Sequence, residues 1–164
     1  MDRAVRPKDR ERSEPPRRWT PEDADRRLAD LAELLPRLKG WVVRLGEVHQ
    51  ELKRLQRFWG SDVDSADHVD HLLKQRLDAE WKNLTRRLEE VVTALRNEGI
   101  EIKDLENGLV DFYGEVEGEV VFLCWQRGEA RVGFYHPISG SSRDRRPIPA
   151  SARAYPPARP GGLA

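Results

Sequence analysis

The amino-acid sequence predicts an α+β fold, in which a long antiparallel helical hairpin precedes a small three- to four-stranded antiparallel sheet. Apolar residues recur at alternating steps of three and four up to Gly99, and with a period of two beyond it. A chain of 164 residues with 38% hydrophobic content suits one domain with a modest core. We therefore predict one α+β domain over residues 19–148, with the helical hairpin over 20–98 and the sheet over 100–137.

The first predicted helix begins at Thr20, because Thr is a favourable N-cap and Pro21 follows it at the first helical position. Leucines then recur at helical spacing as far as Trp59, three apolar positions per heptad, which is a broad coiled-coil-like stripe. Pro36 lies inside this pattern and removes a backbone donor, so we expect a kink or break near Leu35.

The second predicted helix runs from about residue 67 to residue 98 and is followed by Gly99, a typical C-terminal stop. The connection between the two helices, residues 60–66, is short and polar. Two helices joined by so short a segment fold back on each other, which predicts the antiparallel hairpin.

Three strands are predicted beyond Gly99, over residues 109–116, 119–126 and 130–136, and a fourth if Ile100 begins a short strand. Glu117-Gly118 reads as a two-residue turn, which would place Asp111 opposite Cys124. Both faces of this sheet are then apolar, and a sheet apolar on both faces needs a cover on both. The hairpin covers one face, so we expect a second copy of the chain, in a homodimer, to cover the other.

The ends of the chain are basic and poor in apolar residues. Residues 1–18 carry seven Lys/Arg against four Asp/Glu, and this composition predicts disordered tails over residues 1–18 and 149–164. The tails lack interleaved aromatic residues, so we do not expect nucleic-acid binding. No apolar run has the length of a membrane span or a signal peptide, so we expect a cytoplasmic protein without membrane contact.

Polar residues interrupt the apolar sheet and mark a candidate site. A carboxylate at Asp111, half-buried in a strand, requires donors, which Lys103, the Asn107-Gly108 amides or Arg145 would supply. One interpretation is a structural ion pair or turn cap. The other is a pocket for a small anion or a divalent cation, formed by Lys103, Asp104, Glu106, Asp111, Glu129, His136 and Arg145.

Two further groups carry metal-binding or nucleophilic residue types. In the predicted register His136 lies opposite about Val120, roughly 13 Å from the sole cysteine, Cys124, so a Cys–His pair is not expected. His68 and His71 alternate with aspartates, but three-residue spacing also occurs on solvated helix faces. The sequence has no Gly-rich phosphate loop, no H-E-x-x-H helix, no Ser nucleophile elbow and no dinucleotide fingerprint.

The run KDLENGLVDF (residues 103–112), the run LCWQRGE (123–129) and Tyr135-His136 resemble the signature of an uncharacterised prokaryotic family, the domain of unknown function numbered 2203. The likeness extends back to the helix start at Trp19 and covers about residues 19–148. It implies the fold outline and a cytoplasmic location, and it brings no substrate, cofactor or catalytic residue.

These patterns favour a non-catalytic oligomeric interaction or scaffold protein, because apolar heptads and a two-sided apolar sheet serve assembly without requiring a pocket. A further protein partner is compatible with this interpretation. The alternative is a binding module for a small anion or divalent metal, or a small enzyme, that uses the polar residues of the sheet. The sequence assigns no cofactor and no catalytic residue.

Overall fold

The computed structural model describes residues 17–153 and has an α+β architecture. Helix α1 spans Pro21–Trp59 and helix α2 spans His71–Asn97, with a short 3-10 helix at Asp62–Asp64 in the connection between them. A five-stranded antiparallel sheet follows, formed by β1 (Ile100–Asp104), β2 (Leu109–Val116), β3 (Glu119–Gln126), β4 (Phe134–Pro137) and β5 (Arg146–Pro147). None of the helices in this part of the chain is both long and apolar enough to cross a membrane.

The start of α1 is as predicted. The hydroxyl of Thr20 accepts a hydrogen bond from the Asp23 backbone amide at 3.1 Å, and Pro21 occupies the first turn, where it costs no hydrogen bond. Of the predicted kink or break near Leu35, the break is absent, since α1 continues through Pro36. Leu35 and Leu38 are buried on either side of that proline.

Helix α2 begins four residues later than predicted. Residues 61–70 instead form a 3-10 helix and successive turns, in which the His71 amide donates to the His68 carbonyl. The two helices contact each other. Arg27 pairs with Glu98 at 3.3 Å, and Arg44 donates to both oxygens of Glu80 at 2.6 and 3.0 Å.

The register of the central strands is confirmed. Val116 pairs with Glu119, and Asp111 pairs with Cys124. The two-residue turn between them has φ values of 52° at Glu117 and 84° at Gly118, as a type I′ hairpin turn requires. Because this turn fixes the register, it also decides which side chains of β2 and β3 share a face.

The sheet has more strands than the three to four predicted. The strands follow the order β1-β2-β3-β4-β5, and β5 lies beyond residue 137, where the predicted sheet ended. This last strand is held because the Ile148 amide donates to the Gly133 carbonyl at 2.9 Å and the Ile148 side chain packs against the core. A two-residue strand made of Arg and Pro carries no apolar alternation that could identify it.

The main core lies between one face of the sheet and the first half of α1. Phe112 and Leu123 in the central strands are fully buried there, together with Leu31 and Leu35 of the helix. Trp19 closes one end of this core. Its indole Nε1 donates to the Glu98 carbonyl at 2.7 Å, and its ring meets Phe112 edge-on at 5.4 Å.

The opposite face of the sheet is covered in part by the same chain. Arg145, in the segment between β4 and β5, lies over the Phe134 ring at 4.3 Å. Asp111, Cys124 and His136 on this face are fully buried within one protomer. The homodimer predicted from a two-sided apolar sheet is therefore not required to bury these three residues.

Some residues that the sequence assigns to the tails make defined contacts. Arg18 pairs with Glu115 at 2.9 Å, and Arg153 pairs with Asp25 at 3.1 Å and donates to the Val132 carbonyl. The remaining residues of the two predicted tails, 1–16 and 154–164, lie outside the described residues.

Candidate functional site

Three side chains from three adjacent strands meet on the second face of the sheet. Asp111 of β2, Cys124 of β3 and His136 of β4 form this Asp–Cys–His cluster. A carboxylate oxygen, the thiol sulfur and an imidazole nitrogen all lie within 4.8 Å of one another. Each residue is at most 1% exposed, so the cluster is sealed from solvent.

The proximity of His136 to Cys124 corrects the sequence interpretation. His136 pairs with Phe122, whereas the predicted register placed it opposite Val120. The cause is the connection after β3, because β4 begins only at Phe134. A shift of two residues keeps the side chain on the same face of the sheet and brings it closer to Cys124.

Hydrogen bonds define which nitrogen of His136 carries a proton. The Nδ1 atom lies 2.9 Å from the Pro137 carbonyl oxygen, which only accepts, so Nδ1 is the donor. The Nε2 atom lies 3.0 Å from Asp111 Oδ2, and these two atoms share one proton. The second carboxylate oxygen, Oδ1, is buried and has no hydrogen-bond partner among the described residues.

The thiol of Cys124 is not an activated nucleophile. Burial, followed by the negative charge of Asp111, raises the pKa of this thiol from 9.0 to about 12. Cysteine nucleophiles need the opposite shift, because the thiolate is the reactive form. The cluster therefore has the residue types of a cysteine hydrolase, but it lacks the lowered thiol pKa that such an enzyme requires.

We expect folded, metal-free protein to resist alkylation at Cys124. With a pKa of about 12, about one thiol in ten thousand is ionised at pH 8, and the sulfur is also buried. Intact-mass spectrometry after iodoacetamide treatment should show unmodified protein in buffer and one adduct in denaturant. Stoichiometric labelling of the folded protein would contradict this assignment.

A second polar pair flanks the cluster. Arg145 Nη2 donates to both carboxylate oxygens of Glu129, at 2.8 and 2.9 Å, and one of these oxygens also accepts from the Gln126 amide at 2.8 Å. The charges of Arg145 and Glu129 both act on the pKa of the Cys124 thiol, in opposite directions. This pair closes the turn after β3 and holds the covering segment against the sheet.

The hydrogen bonds of the remaining candidate residues are to groups outside the cluster. Lys103 is exposed and pairs with Glu101, Asp104 accepts from the amide of Asn107, and Glu106 pairs with Lys39 of α1. Hydrogen bonds from the Asn107 backbone and side chain lower the pKa of Asp104. Two of the predicted residues, Asp104 and Arg145, line the same small cavity of 210 Å³. The other residues that line it are Asn107, Leu109, Gln126 and Ser142.

The histidines near the start of α2 have local structural contacts. His68 Nδ1 accepts from the Asp70 amide at 3.1 Å, and His71 Nδ1 lies 3.2 Å from the Val63 carbonyl. Within residues 17–153 the geometry of a metal-ligand set is met by the Asp–Cys–His cluster and by no group that includes these histidines.

A feature that the sequence analysis missed lies where α1 ends and α2 begins. Five large apolar side chains are exposed there, with values from 41% at Leu73 to 83% at Val69. We call them the connector patch: Phe58, Trp59, Val69, Leu72 and Leu73. The sequence showed part of this feature, since Trp59 closes the apolar stripe predicted for the first helix.

Comparisons with known proteins identify a family without assigning an activity. No curated protein and no solved structure matches this chain. A family model described as an uncharacterised conserved protein, DUF2203, matches residues 17–148. That range contains both helices, all five strands and the Asp–Cys–His cluster. The chain therefore belongs to the uncharacterised conserved family DUF2203.

Proposed function

We propose that this chain is a non-catalytic interaction protein of the cytoplasm that self-associates through the connector patch of a long helical hairpin. The observation that carries the proposal is the exposure of the five connector-patch side chains. Large apolar side chains exposed in one region of a protein commonly mark association sites. The raised thiol pKa of Cys124 further favours a non-catalytic role.

The contacts between α1 and α2 support an antiparallel hairpin. Going along α1, Arg27 meets Glu98, Arg44 meets Glu80, and the Trp59 ring meets the His68 ring at 4.8 Å. The residue numbers of the contacting positions increase along α1 while those of their partners decrease, as expected for antiparallel helices. The 39 residues of α1 correspond to about 58 Å of helix, and most of its buried residues lie in the first half. In the proposed hairpin, the second half of α1 extends beyond the sheet and carries the connector patch at its end.

The energy available at this patch suits a protein contact. Burial of an exposed Phe or Leu side chain contributes on the order of 1.5–3 kcal/mol. Phe58 and Leu72 are each 74% exposed, so burial of either side chain in an interface would supply most of this free energy. Trp59 adds an aromatic side chain of the kind that dominates binding hot spots.

The charges around the patch favour a second copy of the chain as the partner. Lys53, Arg54 and Arg57 form a basic group at the end of α1, and the connection contributes Asp62 and Asp67. Within residues 17–153 none of these five side chains forms an ion pair. In a two-fold symmetric contact the same surface serves both subunits, so the basic group of one copy can face the acidic connection of the other.

Sedimentation analysis of a patch variant tests this proposal. We expect the double variant Phe58→Ser/Leu72→Ser to weaken self-association. Each removed side chain that acts as a hot spot of about 2 kcal/mol should raise the dissociation constant by about 30-fold. The matched control is Val42→Ser/Val43→Ser, which removes two exposed apolar residues of α1 outside the patch. Association should survive in the control, and circular dichroism should show that both variants remain folded. A monomeric wild-type protein, or equal loss in both variants, would contradict the proposal.

Charge reversal tests whether the partner is a second copy. Arg54→Glu/Arg57→Glu and Asp62→Arg/Asp67→Arg should each self-associate weakly, because like charges then face each other. A mixture of the two variants should form a heterodimer, since the reversed charges of one are complementary to those of the other. If neither reversal changes self-association, the patch does not pair with itself.

A further inference from the structure

We propose that the Asp–Cys–His cluster is a binding site for one divalent transition-metal ion, with Zn²⁺ as the best match. The ligands are Asp111 through a carboxylate oxygen, Cys124 through Sγ and His136 through Nε2. This site is separate from the connector patch, so it stands or falls independently of the proposed self-association. Nitrogen, oxygen and sulfur donors together suit zinc, whereas Mg²⁺ and Ca²⁺ prefer oxygen alone.

The distances fit a tetrahedral ion with small side-chain movements. Zinc bonds of about 2.0–2.2 Å hold a nitrogen and an oxygen ligand about 3.3–3.5 Å apart, and a sulfur ligand slightly farther. His136 Nε2 and Asp111 Oδ2 are 3.0 Å apart, and the three ligand atoms all lie within 4.8 Å of one another. Three adjacent strands carry the ligands, so the backbone already holds them together.

An unsatisfied buried atom indicates that the cluster is incomplete as a hydrogen-bonded group. Asp111 is fully buried, and its Oδ1 atom has no hydrogen-bond partner among the described residues. Leaving a buried carboxylate oxygen without a partner costs free energy. A cation bound by the Asp111 carboxylate would satisfy this oxygen.

The contact of His136 with its own strand is the arrangement found around metal ligands. Its Nδ1 atom donates to the Pro137 carbonyl at 2.9 Å, which leaves Nε2 as the nitrogen that faces Asp111 and Cys124. Histidine ligands commonly donate their second ring N–H to a backbone carbonyl, which fixes the tautomer and orients the ring.

The charges balance when the metal replaces protons. Without metal, the cluster holds the thiol proton of Cys124 and the proton shared by Asp111 and His136, and its net charge is zero. Binding of one Zn²⁺ releases these two protons and leaves a carboxylate, a thiolate and a neutral imidazole around the ion, which again sum to zero. A buried site without net charge avoids the large cost of isolated buried ions.

Titration with Co²⁺ tests the site, because Co²⁺ bound to a thiolate gives an intense ultraviolet charge-transfer band. Chelator-treated protein should bind one Co²⁺ with this band, and added Zn²⁺ should displace it. Cys124→Ser should remove the band, and Asp111→Asn should weaken binding by at least 10-fold. The Asn side chain can still donate to His136 Nε2, so this variant keeps the hydrogen bond while it loses the charged ligand.

The control is His68→Gln/His71→Gln, which removes the two histidines near the start of α2. This variant should keep the charge-transfer band and one bound ion. The proposal is overturned if wild-type protein shows no band, if Cys124→Ser retains it, or if the histidine control loses it. Thermal unfolding with and without Zn²⁺ gives a second readout, in which only proteins with the intact cluster should gain stability.

Discussion

Replacement of Asp111 by Ala is expected to lower the free energy of unfolding by about 3–5 kcal/mol in the presence of chelator. Removal of one partner from a buried, hydrogen-bonded pair leaves the other buried without compensation, and effects of this size are typical. Here the remaining partner is His136, which is 1% exposed and has no route to water. Urea unfolding followed by tryptophan fluorescence measures the change. Since domains of this size are stable by about 5–15 kcal/mol, the variant should unfold at markedly lower denaturant concentration.

A double-mutant cycle separates the interaction energy between Asp111 and His136 from the general loss of packing that each substitution causes. His136→Ala alone should also be strongly destabilising, and the Asp111→Ala/His136→Ala protein should be more stable than the sum of the two losses predicts. Asp111→Asn should cost less than Asp111→Ala, because its amide can donate to Nε2. Additive single losses would show that the 3.0 Å contact between Asp111 and His136 contributes no specific stabilisation.

Replacement of Trp19 by Ala is expected to cost about 3–5 kcal/mol of unfolding free energy, the usual range for a buried aromatic side chain. Trp19 is 4% exposed, donates to the Glu98 carbonyl and packs edge-on against Phe112. Its backbone amide also donates to the Tyr113 carbonyl at 2.9 Å, so the residue joins α2, β2 and the start of α1. Chemical denaturation measures the loss.

The same substitution at Trp59 is a matched control with the opposite expected outcome. Trp59 is 44% exposed in the connector patch, so Trp59→Ala should change the free energy of unfolding little and weaken self-association. Two Trp→Ala variants thus separate the folding core from the association surface. A strong loss of stability in Trp59→Ala together with unchanged association would contradict this division.

Local signals were sufficient for the helices and the central hairpin of the sheet. Thr20-Pro21 predicted the first helix start correctly, because its capping hydrogen bond depends on residues three apart. Glu117-Gly118 predicted the β2–β3 register, because a two-residue turn leaves one arrangement of the flanking strands. In both cases the determining interactions lie within a few residues of each other.

The end of the sheet could not be predicted by the same means. The connection before β4 spans residues 127–133, and its length sets the register of His136. Strand β5 depends on contacts of Ile148 with Gly133 and the core, which are distant in sequence. These non-local contacts leave no periodic pattern in the residues that form them.

The sequence named two members of the Asp–Cys–His cluster, Asp111 and His136, but not the contact between them. Asp111 was expected to accept from Lys103, the Asn107-Gly108 amides or Arg145, whereas its hydrogen-bond partner is His136. Cys124 was set aside as a neighbour of His136, since the predicted register placed them too far apart. Lys103 and Glu106 were expected in the same polar pocket, but their ion pairs are with Glu101 and Lys39.

The central claim is that two copies meet through their connector patches. The most direct test is a distance measurement between spin labels on single cysteines introduced at Val69, in the patch, and at Glu119, at the far end of the sheet. Buried Cys124 should stay unlabelled. The proposed dimer predicts a short inter-protomer distance at position 69 and a much longer one at position 119. A signal from position 119 alone, or no dipolar coupling at position 69, would contradict it.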